Sequence, residues 1–287
     1  MEPIVREALI QRVEELKELD PIAKQVQTIV RRVIPQESQL KDALSGTWLG
    51  HPVHPPLTDV VIGMWTSAWF LDLLGGEDSE NASDRLIGAG ILAAVPTAIA
   101  GLSDWAELYG GRRRVGSLHA IGNTTALGLQ GMSWLARKQD RRGLGVGLSM
   151  LGMAVATASA WLGGHLSFGR GVGVDQTVFE SWPTEWTGII DEDQLEDEKL
   201  THASINGVSI AVVKSGDQVH AMLDRCSHRG CSLHEGEFDG STITCPCHGS
   251  AFRLDGSVAK GPTTYPQPSF AVRVRDGRVE ISAPDPR

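Results

Sequence analysis

All four cysteines of this 287-residue chain fall between positions 226 and 247, and histidines stand among them. Cys226 and His228 form a C-x-H pair, and Cys245 and His248 form a C-x-x-H pair. Two thiolates and two imidazoles carried on two short loops make a four-ligand metal site, so the C-terminal part must fold to bring those loops face to face. A structural Cys2His2 zinc takes the same donor types. Zinc-finger spacing, however, groups cysteine with cysteine and histidine with histidine, whereas here each arm carries one of each. That division suits a [2Fe-2S] cluster in which both cysteines hold one iron and both histidines the other.

The stretch from Cys226 to Ser250 resembles the Rieske iron-sulfur signature. The resemblance implies that Cys226, His228, Cys245 and His248 are the cluster ligands. It also implies a disulfide between Cys231 and Cys247, which in cytochrome bc-type relatives pins the two loops together, and a hydrogen bond from Ser250 to a bridging sulfide. Phe252 departs from the pattern, since bc-type proteins carry a hydrogen-bonding tyrosine there. One donor fewer to sulfur implies a potential below the upper end of the Rieske range. Gly261 to Pro268 resembles the proline-rich loop that such domains fold over their cluster.

Upstream, four apolar runs approach the ~20 residues that cross a bilayer core: 57–74, 86–103, 118–136 and 144–168. Short polar or basic loops separate them, and the second and fourth lack the polar stripe of a soluble amphipathic helix. Trp48, Trp105, Trp134 and Trp161 lie near run ends, as in an interfacial belt. Gly152, Ala156 and Ala160 give the last run a small face suited to close helix contact. The expectation is a four-helix transmembrane bundle followed by an all-β antiparallel domain, with a helical segment over 1–45, the membrane domain over 46–175 and the iron-sulfur domain over 176–287.

Within or beside those runs sit His51, His54, Asp59, Asp72, Asp104, His119, Asn123 and His165, groups that are costly in a bilayer and mark functional candidates. A chain that crosses four times returns to its starting face. His51, His54, Asp104, His119 and His165 therefore gather at one face, and the C-terminal domain emerges there too. Gly50 to Pro56 reads G-H-P-V-H-P-P, and Gly163 to Val174 runs from G-G-H-L to G-V-G-V. These motifs resemble an H-P-x-H-P family of four-span bacterial membrane domains, which implies a multi-pass protein of a bacterial cell membrane but no particular chemistry. Three roles compete for the cluster: a haem b held between helices, a quinone site, or structural hydrogen bonding. His119 and His165 are the expected axial pair for haem, since each lies at a span end rather than in the proline turn.

A net charge of −9 gives no footing for nucleic acid. The N-terminal 45 residues read as two soluble helices suited to the membrane face, a dimer contact or plain surface. Basic residues near span ends tie between the two faces. The charged N-terminal segment and the lack of an export signal then place the iron-sulfur domain in the cytoplasm. The reading is a membrane-anchored electron carrier, with redox donor and acceptor unassigned and oligomers allowed. A redox sensor using the cluster or the disulfide, and a ferredoxin component of an oxygenase system, are the alternatives. An oxygenase proper needs a mononuclear iron held by two histidines and a carboxylate in a large catalytic domain, and no stretch has room for such a domain.

Overall fold

The computed structural model describes residues 3–282, with side chains from Ala8 onward. Two compact units form, and they cut across the sequence boundaries at 45 and 175. One contains the chain up to Ile34 together with Val53–Arg170; the other contains Pro35–Pro52 together with the chain from Gly171.

The first unit is helical. Helices α1 (Pro3–Glu14) and α2 (Asp20–Val33) precede α4 (His54–Leu74), α5 (Glu80–Trp105), α6 (Gly110–Lys138) and α7 (Arg142–Gly164). Among the described residues, three segments are long and apolar enough to cross a membrane: His54–Leu74, Glu77–Trp105 and Arg142–Gly169. The fourth long helix, α6, is polar for a physical reason. Its Gln130 and Ser133 are fully buried against α7, where Gln130 Nε2 donates to Ser149 O at 3.2 Å and Ser133 Oγ to Gly145 O at 2.6 Å. Apolar side chains such as Leu74, Leu92 and Leu151 instead point outward, the reverse of a soluble bundle and what lipid contact requires. Helix α2 docks on the α5–α6 turn, where Gln27 Nε2 donates to Leu108 O at 2.9 Å and Asp20 pairs with Arg113 and Arg114.

The four long helices are one antiparallel hairpin used twice. His54, Val61, Trp65, Ala68 and Asp72 of α4 correspond, at one constant offset, to His119, Ala126, Gln130, Ser133 and Arg137 of α6. Ser83, Ile87, Gly90, Thr97 and Gly101 of α5 correspond likewise to Gly145, Ser149, Gly152, Ser159 and Gly163 of α7. The contacts repeat with the residues. His54 Nδ1 meets Thr97 O at 3.0 Å, as His119 Nδ1 meets Ser159 O at 2.7 Å. Each ring lies over a glycine: an added Cβ would come within 2.7 Å of His54 at Gly101 and 2.8 Å of His119 at Gly163. Trp65 likewise fills the space over Gly90, as Gln130 does over Gly152. At the other end of the hairpins the equivalent residues Asp72 and Arg137 pair with each other, their side chains 1% and 0% exposed. Arg142 and Asp84 complete that network.

The second unit is antiparallel β, preceded by the short helix α3 (Gln39–Ser45). Strands β1 (Thr187–Asp191), β10 (Arg278–Ser282) and β9 (Ala271–Arg275) make one sheet, and β2 (Thr201–Ile205), β3 (Val208–Ser215) and β4 (Gln218–Leu223) a second. Strands β5 (Glu237–Phe238), β6 (Thr242–Thr244), β7 (Ala251–Arg253) and β8 (Val258–Lys260) make the third. Alternation along β3 divides its side chains between two cores. Ile210 and Val212 join Val279 and Ile281, whereas Ala211 and Val213 join Leu233, Ile243 and Phe252.

Candidate metal centre

The two ligand loops share a backbone design. In the first, following β4, Cys226 N donates to Cys231 O at 2.9 Å and Gly230 N to Cys226 O at 2.8 Å. In the second, between β6 and β7, Cys245 N donates to Ser250 O at 2.8 Å and Gly249 N to Cys245 O at 3.1 Å. Both turns close through a left-handed residue, Gly230 (φ 77°) and Gly249 (φ 76°), a conformation that a Cβ disfavours.

These turns set Cys226 and Cys245 side by side as buried free thiols, and His228 and His248 with ring centroids 5.2 Å apart. The sulfurs share one hydrogen bond, which raises the Cys226 thiol, reinforced by burial, and lowers that of Cys245 to about 7. Backbone N–H groups of His228 and Arg229 turn toward the Cys226 sulfur, and those of Cys247 and His248 toward that of Cys245. Two adjacent sulfurs, each with backbone N–H groups turned toward it, suit a pair of thiolates holding one iron once their shared proton is lost. Ser250 Oγ accepts the Thr263 N–H at 3.2 Å, so its own proton remains free to donate. Phe252 is fully buried in the core that also holds Cys226 and Cys245.

Cys231 and Cys247 are joined by a disulfide, with Cα atoms 6.5 Å apart, beside Cys245. It closes a loop over a sequence separation of 16, for which chain entropy gives about 3 kcal/mol. Replacing both cysteines by serine is expected to lower the unfolding free energy of the β unit by about that amount. Denaturant titration without reductant checks it, and an unchanged midpoint would contradict it.

Sequence reasoning missed the residue that ties the proline loop down. Gln267, fully buried between Pro266 and Pro268, donates through Nε2 to Leu223 O at 2.6 Å and Arg225 O at 2.9 Å, and accepts Ser227 N at 2.9 Å. Ser227 Oγ also meets Thr263 Oγ1 at 3.0 Å. The only trace in the sequence is an amide between two prolines in an apolar setting.

The second element missed is the strap formed by Pro35–Pro52. Ser38 caps α3, and Gly46 ends it in the left-handed region. Beyond it, Thr47 Oγ1 donates to Thr263 O at 3.0 Å, and Asp42 receives the Gly261 N–H near Lys260. Burial pushes the Asp42 carboxyl up. Glu37 reaches the other loop, its Cγ 3.7 Å from where a Cβ on Gly249 would sit. The strap thus lies against both the proline loop and the second ligand loop. His248, next to Gly249, is 6% exposed, whereas His228 is half-buried.

In the helical unit, His54, His119 and His165 occupy the same end of the hairpins, with Asp104 three residues beyond Gly101. A carbonyl only accepts, so His54 and His119 both carry their proton on Nδ1. Nε2 of His119 then accepts from Asn123 at 3.0 Å. His165 begins a π turn and stacks on Trp161 at 6.3 Å. His51 belongs to the other unit, exposed, with Nδ1 2.9 Å from Pro52 O.

Paired ligand loops on an antiparallel β frame, bridged by a disulfide and capped by a proline loop, define a Rieske-type iron-sulfur protein. The comparisons agree: a Rieske [2Fe-2S] domain matches residues 185–271, and a predicted membrane protein family (DUF2231) matches 50–176. The chain belongs to the Rieske [2Fe-2S] family, with a DUF2231 membrane domain in the same polypeptide. It is 40% identical over 79 residues to Ferredoxin CarAc of Metapseudomonas resinovorans, covering 27% of this chain and 74% of that protein. It is 34% identical over 106 residues to the anthranilate 1,2-dioxygenase ferredoxin subunit of Burkholderia cepacia, covering 36% and 96%. The cytochrome b6-f complex iron-sulfur subunit of Chlorobaculum tepidum is 34% identical over 77 residues, 27% of this chain and 42% of the length of that relative. Such relatives support electron transfer, and the Rieske domain implies a [2Fe-2S] cluster, which the donor set fits.

Proposed function

We propose that the protein is a membrane-anchored carrier of single electrons, with Cys226 and Cys245 on one iron of the cluster and His228 and His248 on the other. When bound, the cluster takes up and returns one electron. The observation that carries the reading is the strap. A ferredoxin serving a diffusing partner must offer its imidazole tip, but here His248 is buried and the chain's own 35–52 segment lies along the loops. That segment runs on into α4, an apolar helix long enough to cross a membrane. A partner held in the membrane suits this better than a soluble oxygenase, and a b6-f iron-sulfur subunit among the relatives supports it. Half-buried His228 is then the exit, and a ligating imidazole can release its other ring proton together with the electron.

The membrane partner we propose is a quinol or a haem b at the end of the bundle holding His54, His119, His165 and Asp104. His54 and His119 replace His119 and His165 as the favoured pair. Their equivalent settings fix both rings through Nδ1 and leave Nε2 for a ligand once Asn123 turns aside. The β unit is assigned to the cytoplasmic side. Anaerobic addition of a ubiquinol or menaquinol analogue to the full chain in nanodiscs should reduce the cluster, read by electron paramagnetic resonance. His54→Ala or His119→Ala should slow that reduction about tenfold, the loss of one good hydrogen bond, and leave dithionite reduction untouched. A haem would announce itself as a Soret band that disappears in His119→Ala. No quinol reduction and no Soret band would sink the proposal. Rapid electron delivery to a purified oxygenase would instead favour the ferredoxin reading, which the likeness to a dioxygenase ferredoxin subunit motivates.

A further inference from the structure

Outside the ligand loops, three metal-binding side chains meet that no role discussed so far uses. His202 stands on β2, Asp224 follows the end of β4, and His234 lies in the turn Leu233–Glu235. One ligand atom from each lies within 4.8 Å of the others. The backbone builds this meeting. His202 pairs with Ala211 and Ala211 with Met222, so β2 is carried across β3 toward the end of β4. There Asp224 N donates to Ser209 O at 2.9 Å, and Leu233 N to Asp224 O at 2.8 Å, which draws the His234 turn in from the far side.

The chemistry of the three groups is unusual for a plain surface. Asp224 is buried, its side chain 3% exposed, and its partners are all on His234: the backbone N at 2.8 Å and Nδ1 at 2.9 Å. Among the described residues no lysine or arginine neutralises it. His202 packs its ring against His234 at 4.7 Å with a 44° tilt, although it is exposed and free to turn elsewhere. Two imidazoles and a carboxylate are the donor set that first-row divalent ions bind, leaving positions open to water. Two donors about 2.1 Å from one ion and at right angles are about 3 Å apart, close to the 2.9 Å between His234 Nδ1 and Asp224 Oδ2. An ion there would displace the shared proton, and His202 would need only a side-chain rotation to join.

We infer that His202, Asp224 and His234 form a second metal site, for one divalent transition-metal ion per chain, separate from the cluster. Three separate elements of the β unit supply its two histidines and carboxylate. It adjoins the iron-sulfur ligands, since Asp224 lies two residues before Cys226 and its charge reaches the Cys245 sulfur. It stands or falls independently of the quinol reading, since it invokes no residue of the helical unit.

Cobalt(II) is the probe, because its ligand-field absorption reports nitrogen and oxygen donors. Added to the full chain with its cluster in place, Co2+ should bind with one equivalent per chain and develop visible bands, while iron and sulfide contents stay unchanged. His202→Ala removes an exposed side chain and leaves the Asp224–His234 contact, so the fold and the cluster signal should persist. Its Co2+ affinity should fall at least about tenfold, since losing even an outer-shell partner of a ligand costs about that much. His234→Gln, which retains a polar side chain beside Asp224, should weaken binding similarly. Absence of the bands, or equal affinity in His202→Ala and the parent, would overturn the inference.

Discussion

Arg137→Leu is expected to destabilise the helical unit by about 3–5 kcal/mol, the cost of leaving buried charge uncompensated. The guanidinium is fully buried and spans two carboxylates, with Nη1 2.9 Å from Asp72 Oδ1 and 3.0 Å from Asp84 Oδ1. Once it is removed, Arg142 alone faces Asp72, Asp84 and Glu80. The double variant Asp72→Leu/Arg137→Leu should lose less than Arg137→Leu alone, because one buried carboxylate goes with the cation and Arg142 can balance the rest. Thermal unfolding in detergent compares the two. A double variant worse than the single would show that Asp72 is held mainly by Ser83 and Arg142 rather than by Arg137.

Cys245→Ser should remove the cluster outright. The wild-type chain is expected to carry two irons and two acid-labile sulfides, as the [2Fe-2S] ligand set requires. The serine variant should retain less than about a tenth of either, since a hydroxyl does not replace the soft thiolate that iron-sulfur clusters select. His228→Cys is the milder case. If iron is retained, the potential should fall, because imidazole ligation is what lifts Rieske centres above all-thiolate ones. Stoichiometric zinc without sulfide in the wild-type protein would refute the assignment. Metal and sulfide analysis, followed by redox titration, decides between these outcomes.

The ligand loops were legible because their chemistry is local: each brings a cysteine, a histidine and a turn glycine within a few residues. Three of the four long helices were legible as apolar runs long enough to cross a membrane, whereas α6 is too polar to read that way. What escaped the sequence is what folding joins at long range. Asp72 reads as an isolated intramembrane carboxylate and Arg137 as part of a basic loop, yet they are partners. The strap reads as the end of an N-terminal helical segment, because nothing in Asp42 or Thr47 announces a contact with Gly261 or Thr263. The sheet likewise assembles His202, Asp224 and His234 from three elements. The hairpin repeat escaped too, because its equivalent positions differ in kind: tryptophan answers to glutamine, and aspartate to arginine.

That last difference bears on the assembly of the membrane half. Two identical hairpins could pair only as a symmetric dimer, with each residue at the axis facing its own copy. Aspartate facing aspartate, or arginine facing arginine, is repelled at such a buried position, which disfavours a bundle closed from two copies of either hairpin. With aspartate in one half and arginine in the other, each half is electrostatically complementary to the other rather than to a copy of itself.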